Sequence, residues 1–193
     1  MTRRKSGIKS MAIAVYAAMS VVALVWGGLR GLYADWWTFG SAGDVAAAVG
    51  LAAVLAGLAV TLSLQMERTV PGVQELATRF SSLLSGTTWR DALLLAGTSS
   101  VGEELLFRGC LQSELGIWPA TLIFALVHSG PERVYLWWTA SAFVFGLGLG
   151  LLYDAHGGLL APIVMHFGIN AVNITLLGRK SGEVKRRPAL SLD

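Results

Sequence analysis

Six windows of near-continuous apolar residues follow one another along this chain, near 11–29, 44–64, 90–115, 117–129, 134–153 and 158–177. About 17 to 25 such residues are what the roughly 30 Å hydrocarbon core of a bilayer asks of a helix. Composition agrees, with 54% of the 193 residues hydrophobic and only 14% charged. A soluble domain carries about a quarter charged residues. The expected fold class is all-α: a polytopic membrane helix bundle of about six transmembrane helices, forming a single membrane domain over 1–193. The first window follows Arg3, Arg4 and Lys5, as a signal peptide would. It is long for that role and no small-residue cleavage site follows, so it reads as a helix. The single Cys110 excludes an internal disulfide.

The fifteen Lys and Arg residues orient the bundle. With a cytoplasmic N-terminus and six crossings, thirteen of them fall inside, Arg30 alone falls outside, and Arg108 lies within a helix. Cytoplasmic loops are the ones expected to carry Lys and Arg. Both termini are therefore expected in the cytoplasm, with 178–193 as a basic cytoplasmic tail able to touch anionic lipid. Nucleic acid is excluded as a partner, because the charge sits in short flanks without a binding motif. Between the second and third windows, Val73, Leu76, Phe80, Leu83 and Leu84 stand at helical spacing, with Pro71 near the start and Gly86 as a stop. This segment is either an interfacial helix on the cytoplasmic surface or a packed connector. Thr88 and Asp91 are spaced as a capping pair for the third crossing.

Ionisable residues at membrane depth are few and grouped: Glu103, Glu104 and Arg108 in "EELLFR", His128 ending "FALVH", and His166 with Asn170 in "HFGIN". Each charge at a helix centre costs about 2.5–3.5 kcal/mol on insertion scales, so their presence needs a reason. Glu104 and Arg108 are four apart and can neutralise one another on one helix face. That leaves Glu103 over. Depth ties the groups together. If Gly116 is the turn between the third and fourth segments, Glu104 lies twelve residues before it and His128 twelve after, both about 18 Å away. The fourth segment is too short to span, so His128 is expected beside a polar notch open to the cytoplasm. His166 and Asn170 lie roughly 12 and 18 Å beyond the turn "DAHGG", near the same level. His156 belongs to that turn. Pro162 is expected to permit a kink in the last helix, and Gly146, Gly148 and Gly150 a close helix approach.

Two chemistries are open to this set. Glu103, His128 and His166 are ligand types of a catalytic zinc site, although the spacing is not that of a helical H-E-x-x-H motif. A metal-free route has Glu103 take a proton from water with help from His128, while His166 and Asn170 donate to the oxyanion. Asn170 suits a donor better than a zinc ligand. Both routes hydrolyse an amide.

The three motifs, Glu103-Glu104-x-x-x-Arg108, Phe124-x-x-x-His128 and His166-x-x-x-Asn170, resemble in order and spacing those of the CPBP intramembrane proteases. These are the CAAX-protease and bacteriocin-processing relatives, also called the Abi family, and the resemblance covers a core at about 88–177. It implies that Glu103 works with His128 to activate water, that His166 and Asn170 stabilise the oxyanion, and that Arg108 holds Glu104. It implies a divalent metal such as zinc, or none. The implied substrate is a membrane-associated peptide or protein, prenylated and CAAX-like or of bacteriocin type, in a bacterial-type cell membrane. Two other functions compete: a non-catalytic immunity or partner-binding protein of the same family, and an ion or proton carrier. The carrier is disfavoured by the lack of an inverted repeat.

Overall fold

In the computed structural model residues 2–186 are described; Met1 and residues 187–193 of the expected basic tail lie outside them. The chain forms helices α1 (Thr2–Arg30), α2 (Tyr33–Trp36), α3 (Ala42–Thr69), α4 (Pro71–Leu83) and α5 (Trp89–Glu104). α5 runs without a break through a π-helical stretch, Leu105–Gln112, into α6 (Ser113–Leu115). There follow α7 (Ile117–Val127), a short 3₁₀ turn (Arg133–Tyr135), α8 (Leu136–His156) and α9 (Leu160–Arg186). An all-α membrane bundle results. The helix starts are local chemistry: Ser41 with Asp44 and Thr88 with Asp91 form capping boxes for α3 and α5, and Pro71 stands in the first turn of α4.

Four helical stretches among the described residues are long and apolar enough to cross a membrane: Lys9–Arg30, Ala42–Thr69, Arg133–His156 and Leu160–Lys180. The other two expected crossings differ for physical reasons. From Trp89 to Leu115 the chain is continuously helical but carries too many charges to qualify by composition. α7 is only 11 residues, about 16 Å at the α-helical rise, and stops at His128. Two ion pairs nevertheless set the Trp89–Leu115 stretch beside α1 over its whole length. Lys9 Nζ meets Asp91 Oδ2 at 2.7 Å near one end, and Arg30 Nε meets Glu114 Oε1 at 2.6 Å at the other. The two helices thus run parallel, with their first turns at the same end of the bundle.

Packing relies on small residues, as expected where lipid is as apolar as the helices themselves. Ala48, Ala52, Ala56 and Ala59 of α3 pack with Leu149, Leu152, Ala161, Met165 and Ile169 of α8 and α9. Two of the three α8 glycines act as expected, while a Cβ on Gly148 would meet only Met165 Cε at 3.6 Å, an ordinary contact. A Cβ on Gly146 would stand 2.9 Å from Phe124 Cδ1, and one on Gly150 2.8 Å from Gln112 Oε1. Pro162 does not kink α9. The helix begins at Leu160, so the proline sits in its first turn, where the missing N–H is not needed. Just before it, Leu159 N donates to Trp36 O at 2.9 Å and tethers the α8–α9 turn to the last residue of α2. α9 continues to Arg186, well into the stretch expected as a tail. α4 is a packed wall: Phe80 meets Trp138 and Tyr135 edge-on, and Arg79 pairs with Glu132 of the loop after His128.

Candidate active site

Glu103 and Glu104 close α5 where the helix widens into its π-helical stretch. Wide turns of this kind leave backbone carbonyls unpaired and recur at functional sites. Here they find partners: Trp36 Nε1 donates to Gly109 O at 2.8 Å and Ser113 Oγ to Arg108 O at 3.3 Å. The adjacent carboxylates then point to different partners. Glu104 and Arg108 are 0% and 1% exposed, so neither could stand uncompensated. Arg108 Nη1 donates to Glu104 Oε1 at 3.2 Å, Arg108 Nη2 donates to Gly146 O at 2.8 Å, and the guanidinium carbon lies 4.5 Å over the Phe124 ring. Arg108 therefore joins three elements.

Glu104 has a second role that the spacing of the motifs did not reveal: His166 Nδ1 donates to its Oε1 at 2.7 Å. His128 Nδ1 lies 2.6 Å from Phe124 O. A carbonyl can only accept and an ionised carboxylate likewise, so both histidines carry a proton on Nδ1. Each then turns Nε2 to the same place. His128 Nε2 stands 3.5 Å and His166 Nε2 3.9 Å from Glu103 Oε2. That oxygen is buried and has no direct hydrogen-bond partner.

The expected residues are thus brought together, though not all in the expected way. Glu103, His128 and His166 converge at one point, and Glu104 and Arg108 sit behind them. Asn170 is a turn further along α9, lining the same cavity, with its Nδ2 donating to Ser99 Oγ at 2.9 Å. His156 ends α8 and takes no part in this cluster. Three contributors were not anticipated. Ser99 holds Asn170, and the run "TSS" before the glutamates was its only signal. Trp138 sets its ring 5.1 Å from that of His128. Tyr16, from α1, lines the cavity together with Glu103, and no spacing along the chain connects those two positions.

A cavity of about 330 Å³ lies over the cluster. Glu103, His128, His166, Asn170 and Tyr16 line one part of it, and mostly apolar side chains of α3, α4, α8 and α9 line the remainder. It follows α9 as far as Lys180, which is paired with Glu67 of α3. From His166 to Lys180 is about 21 Å along the helix, the length of roughly six residues of extended chain. Zinc holds its ligands at about 2.0–2.3 Å. Among the described residues no group of three or more His, Cys, Asp or Glu side chains is arranged to hold a metal ion. Glu103, His128 and His166 come together without closing into such a cage.

The fold and the site define an all-α membrane bundle with a glutamate–histidine cluster sunk in its interior. Residues 85–172 match the family model described as type II CAAX prenyl endopeptidase Rce1-like. The resemblance to the CPBP family holds over that stretch, which carries all three motifs. A 73-residue stretch is 42% identical to the uncharacterized protein YpbD of Bacillus subtilis (strain 168). It covers 36% of this chain and 36% of that one, so the match spans little more than a third of the relative's length. No solved structure matches the chain.

Proposed function

We propose that this chain is an intramembrane endopeptidase in which Glu103 and His128 activate water and His166 and Asn170 stabilise the oxyanion. The observation that carries the reading is the convergence of two imidazole Nε2 atoms on the buried Glu103 Oε2 at 3.5 and 3.9 Å, at the wall of a cavity. Those gaps exceed a direct hydrogen bond and suit a bridging water. The match of residues 85–172 to a CAAX prenyl endopeptidase family supports the same chemistry.

The reaction follows from the residues themselves. Water oxygen bonds to the scissile carbonyl carbon while Glu103 takes one of its protons. Negative charge grows on the carbonyl oxygen, where the Asn170 amide and a doubly protonated His166, through Nε2–H while Nδ1–H stays on Glu104, serve as donors; preorganised donors of this kind are a large term in acyl transfer. Collapse breaks the C–N bond, and the proton passes from Glu103 to the leaving nitrogen. Arg108 and Glu104 hold His166 in place throughout. The substrate is a membrane-associated peptide, prenylated and CAAX-like or of bacteriocin type, lying extended along α9 with the site open toward the cytoplasm.

The test compares membranes from cells expressing the wild type and Glu103→Gln, mapping new peptide termini by mass spectrometry. Termini made by the wild type are expected to disappear in the variant, a loss of about 10²–10⁴-fold for a general base, with the protein's thermal unfolding unchanged. Equal termini from both proteins, each folded and abundant, would transfer the function to the non-catalytic immunity or partner-binding role. Running the purified wild type with and without a chelator reads metal dependence separately.

A further inference from the structure

Of the residues in the cluster, His128 alone stands outside a helix. α7 ends at Val127, and His128 follows with φ −92° and ψ 35°, off the α-helical values. Its N–H still donates to Ala125 O at 3.1 Å, a tightened last turn. Its carbonyl is among the last of a helix, which find no partner within that helix, and the next regular turn begins only at Arg133. α8 meets this loose end with two successive side chains. Thr139 Oγ1 donates to His128 O at 3.0 Å, sharing its one proton with Tyr135 O at 3.2 Å, the ordinary partner four residues back. Trp138 sets its ring edge-on to the imidazole, centroids 5.1 Å and planes 78° apart. The Phe124 ring lies against the same imidazole at 4.4 Å. Backbone and ring of His128 are thus both held from α8, by residues outside all three motifs.

We propose that Thr139, assisted by Trp138, is a positioning residue: its hydroxyl fixes the His128 carbonyl and with it the place of Nε2 before Glu103. The proposal rests on the endopeptidase reading, in which the 3.5 Å gap between Nε2 and Glu103 Oε2 takes the water. The need is one of tolerance, since a misplacement of about 1 Å at a reacting group can cost about 10²-fold in rate. The bond from His128 Nδ1 to Phe124 O, at 2.6 Å, fixes the ring relative to α7 and says nothing of α5. α8 supplies that reference. Two turns beyond Thr139, about 10 Å along the helix, Gly146 O accepts from Arg108 Nη2 at 2.8 Å. One helix therefore fixes the end that carries His128 and also the arginine beside the carboxylates.

Thr139→Val keeps the shape and removes the donor, and Thr139→Ser restores it. The kinetic arm uses a farnesylated peptide ending in a CAAX tetrapeptide, cleaved by the purified protein in liposomes. In Thr139→Val kcat is expected to fall about tenfold with KM unchanged, the fold-change that about 1.4 kcal/mol represents, and to return in Thr139→Ser. In a His128→Ala background the same change is expected to cost nothing further, because groups that act as a unit are not additive. An unchanged kcat in Thr139→Val, or an equal loss in both backgrounds, overturns the proposal and leaves the endopeptidase reading intact. A second arm needs no activity. The chain has three histidines, so the ring signals of histidine-labelled protein in detergent can be assigned by NMR from single variants of each. Thr139→Val is expected to move the His128 signals and leave those of His166 in place. His128 signals that stay where they are overturn the proposal. So does equal movement of His166, because Thr139 would then hold the bundle rather than His128. If the wild type cleaves nothing and the His128 signals alone move, the endopeptidase reading falls and the positioning of His128 by Thr139 stands.

Discussion

α3 and the helical stretch from Trp89 to Leu115 are nearly equal in length and run through the same bundle, but only the second buries polar side chains among its apolar ones. α3 turns inward Ala48, Ala52, Ala56 and Ala59, spaced three and four apart so that one smooth face meets α8 and α9. The other stretch turns inward Ser99, Ser100, Glu103, Glu104, Arg108 and Gln112. Small apolar side chains need only closeness, and α3 obtains it along its own face. Each buried polar group needs a partner on another element: Arg108 finds Gly146 O, Glu104 finds His166, and Gln112 finds Gly150 O and Asp154. α3 holds the bundle together; the polar stretch dictates which helices must meet and at what depth.

The largest expected effect tests the polar half. Arg108→Leu strips Glu104 of its cation while leaving the carboxylate buried, a loss that costs about 3–5 kcal/mol when one partner of a buried pair is removed. Thermal unfolding in detergent should fall steeply and cleavage should vanish with it. A variant that keeps its unfolding temperature would show that the charges do not hold this stretch in place.

A smaller effect is expected on the α3 side. A Cβ on Gly168 of α9 would already stand 3.0 Å from the Ala56 Cβ, so Ala56→Leu must push α3 and α9 apart. Overpacking of this kind costs about 1–3 kcal/mol. The unfolding temperature should drop while kcat stays within a few-fold of the wild type, because no side chain of the Glu103 cluster comes from α3. If kcat fell as far as in Arg108→Leu, the division of labour between the two helices would not hold.

The smallest effect lies at the rim. Lys9 and Asp91 are partly exposed, at 26% and 33%, and exposed pairs are worth about 0.2–1 kcal/mol. Lys9→Met should shift unfolding by no more than a degree or two and leave cleavage unchanged. Asp91 keeps its capping hydrogen bonds with Thr88 regardless. A large shift measured at low salt would mean that this pair, rather than the close approach of Gly102 to the Tyr16 carbonyl, sets the depth of α1.

Much of the site was legible along the chain because it follows helical arithmetic. Glu104 and Arg108 meet by i,i+4 spacing, and the twelve-residue arms on either side of Gly116 place the carboxylates and His128 at one level, where Glu103 and His128 are found 3.5 Å apart. The capping box at Thr88 is a similarly local pattern. What stayed hidden depends on which helices become neighbours. Nothing in the spacing of the motifs says that His166 bonds Glu104 rather than Glu103, that Asn170 leans on Ser99, or that Tyr16 of α1 lines the same cavity. The expected kink at Pro162 failed for the same reason. Whether a proline kinks a helix or opens it depends on where the helix starts, and here the Trp36–Leu159 hydrogen bond precedes that start by one residue.

The sequence by itself determined that this chain lies in a membrane as a helix bundle, because a bilayer core leaves long apolar segments no other solvent. It also determined that a small set of ionisable groups is buried at matching depths, because rise per residue is constant. Only the tertiary structure decided how the two carboxylates divide their roles. A rotation of α5 by one residue, about 100°, would exchange Glu103 and Glu104 before the same histidines. That rotation is set by the π-helical stretch, by Arg108 reaching Gly146, and by α1 seated on Gly102, all of them contacts between distant parts of the chain.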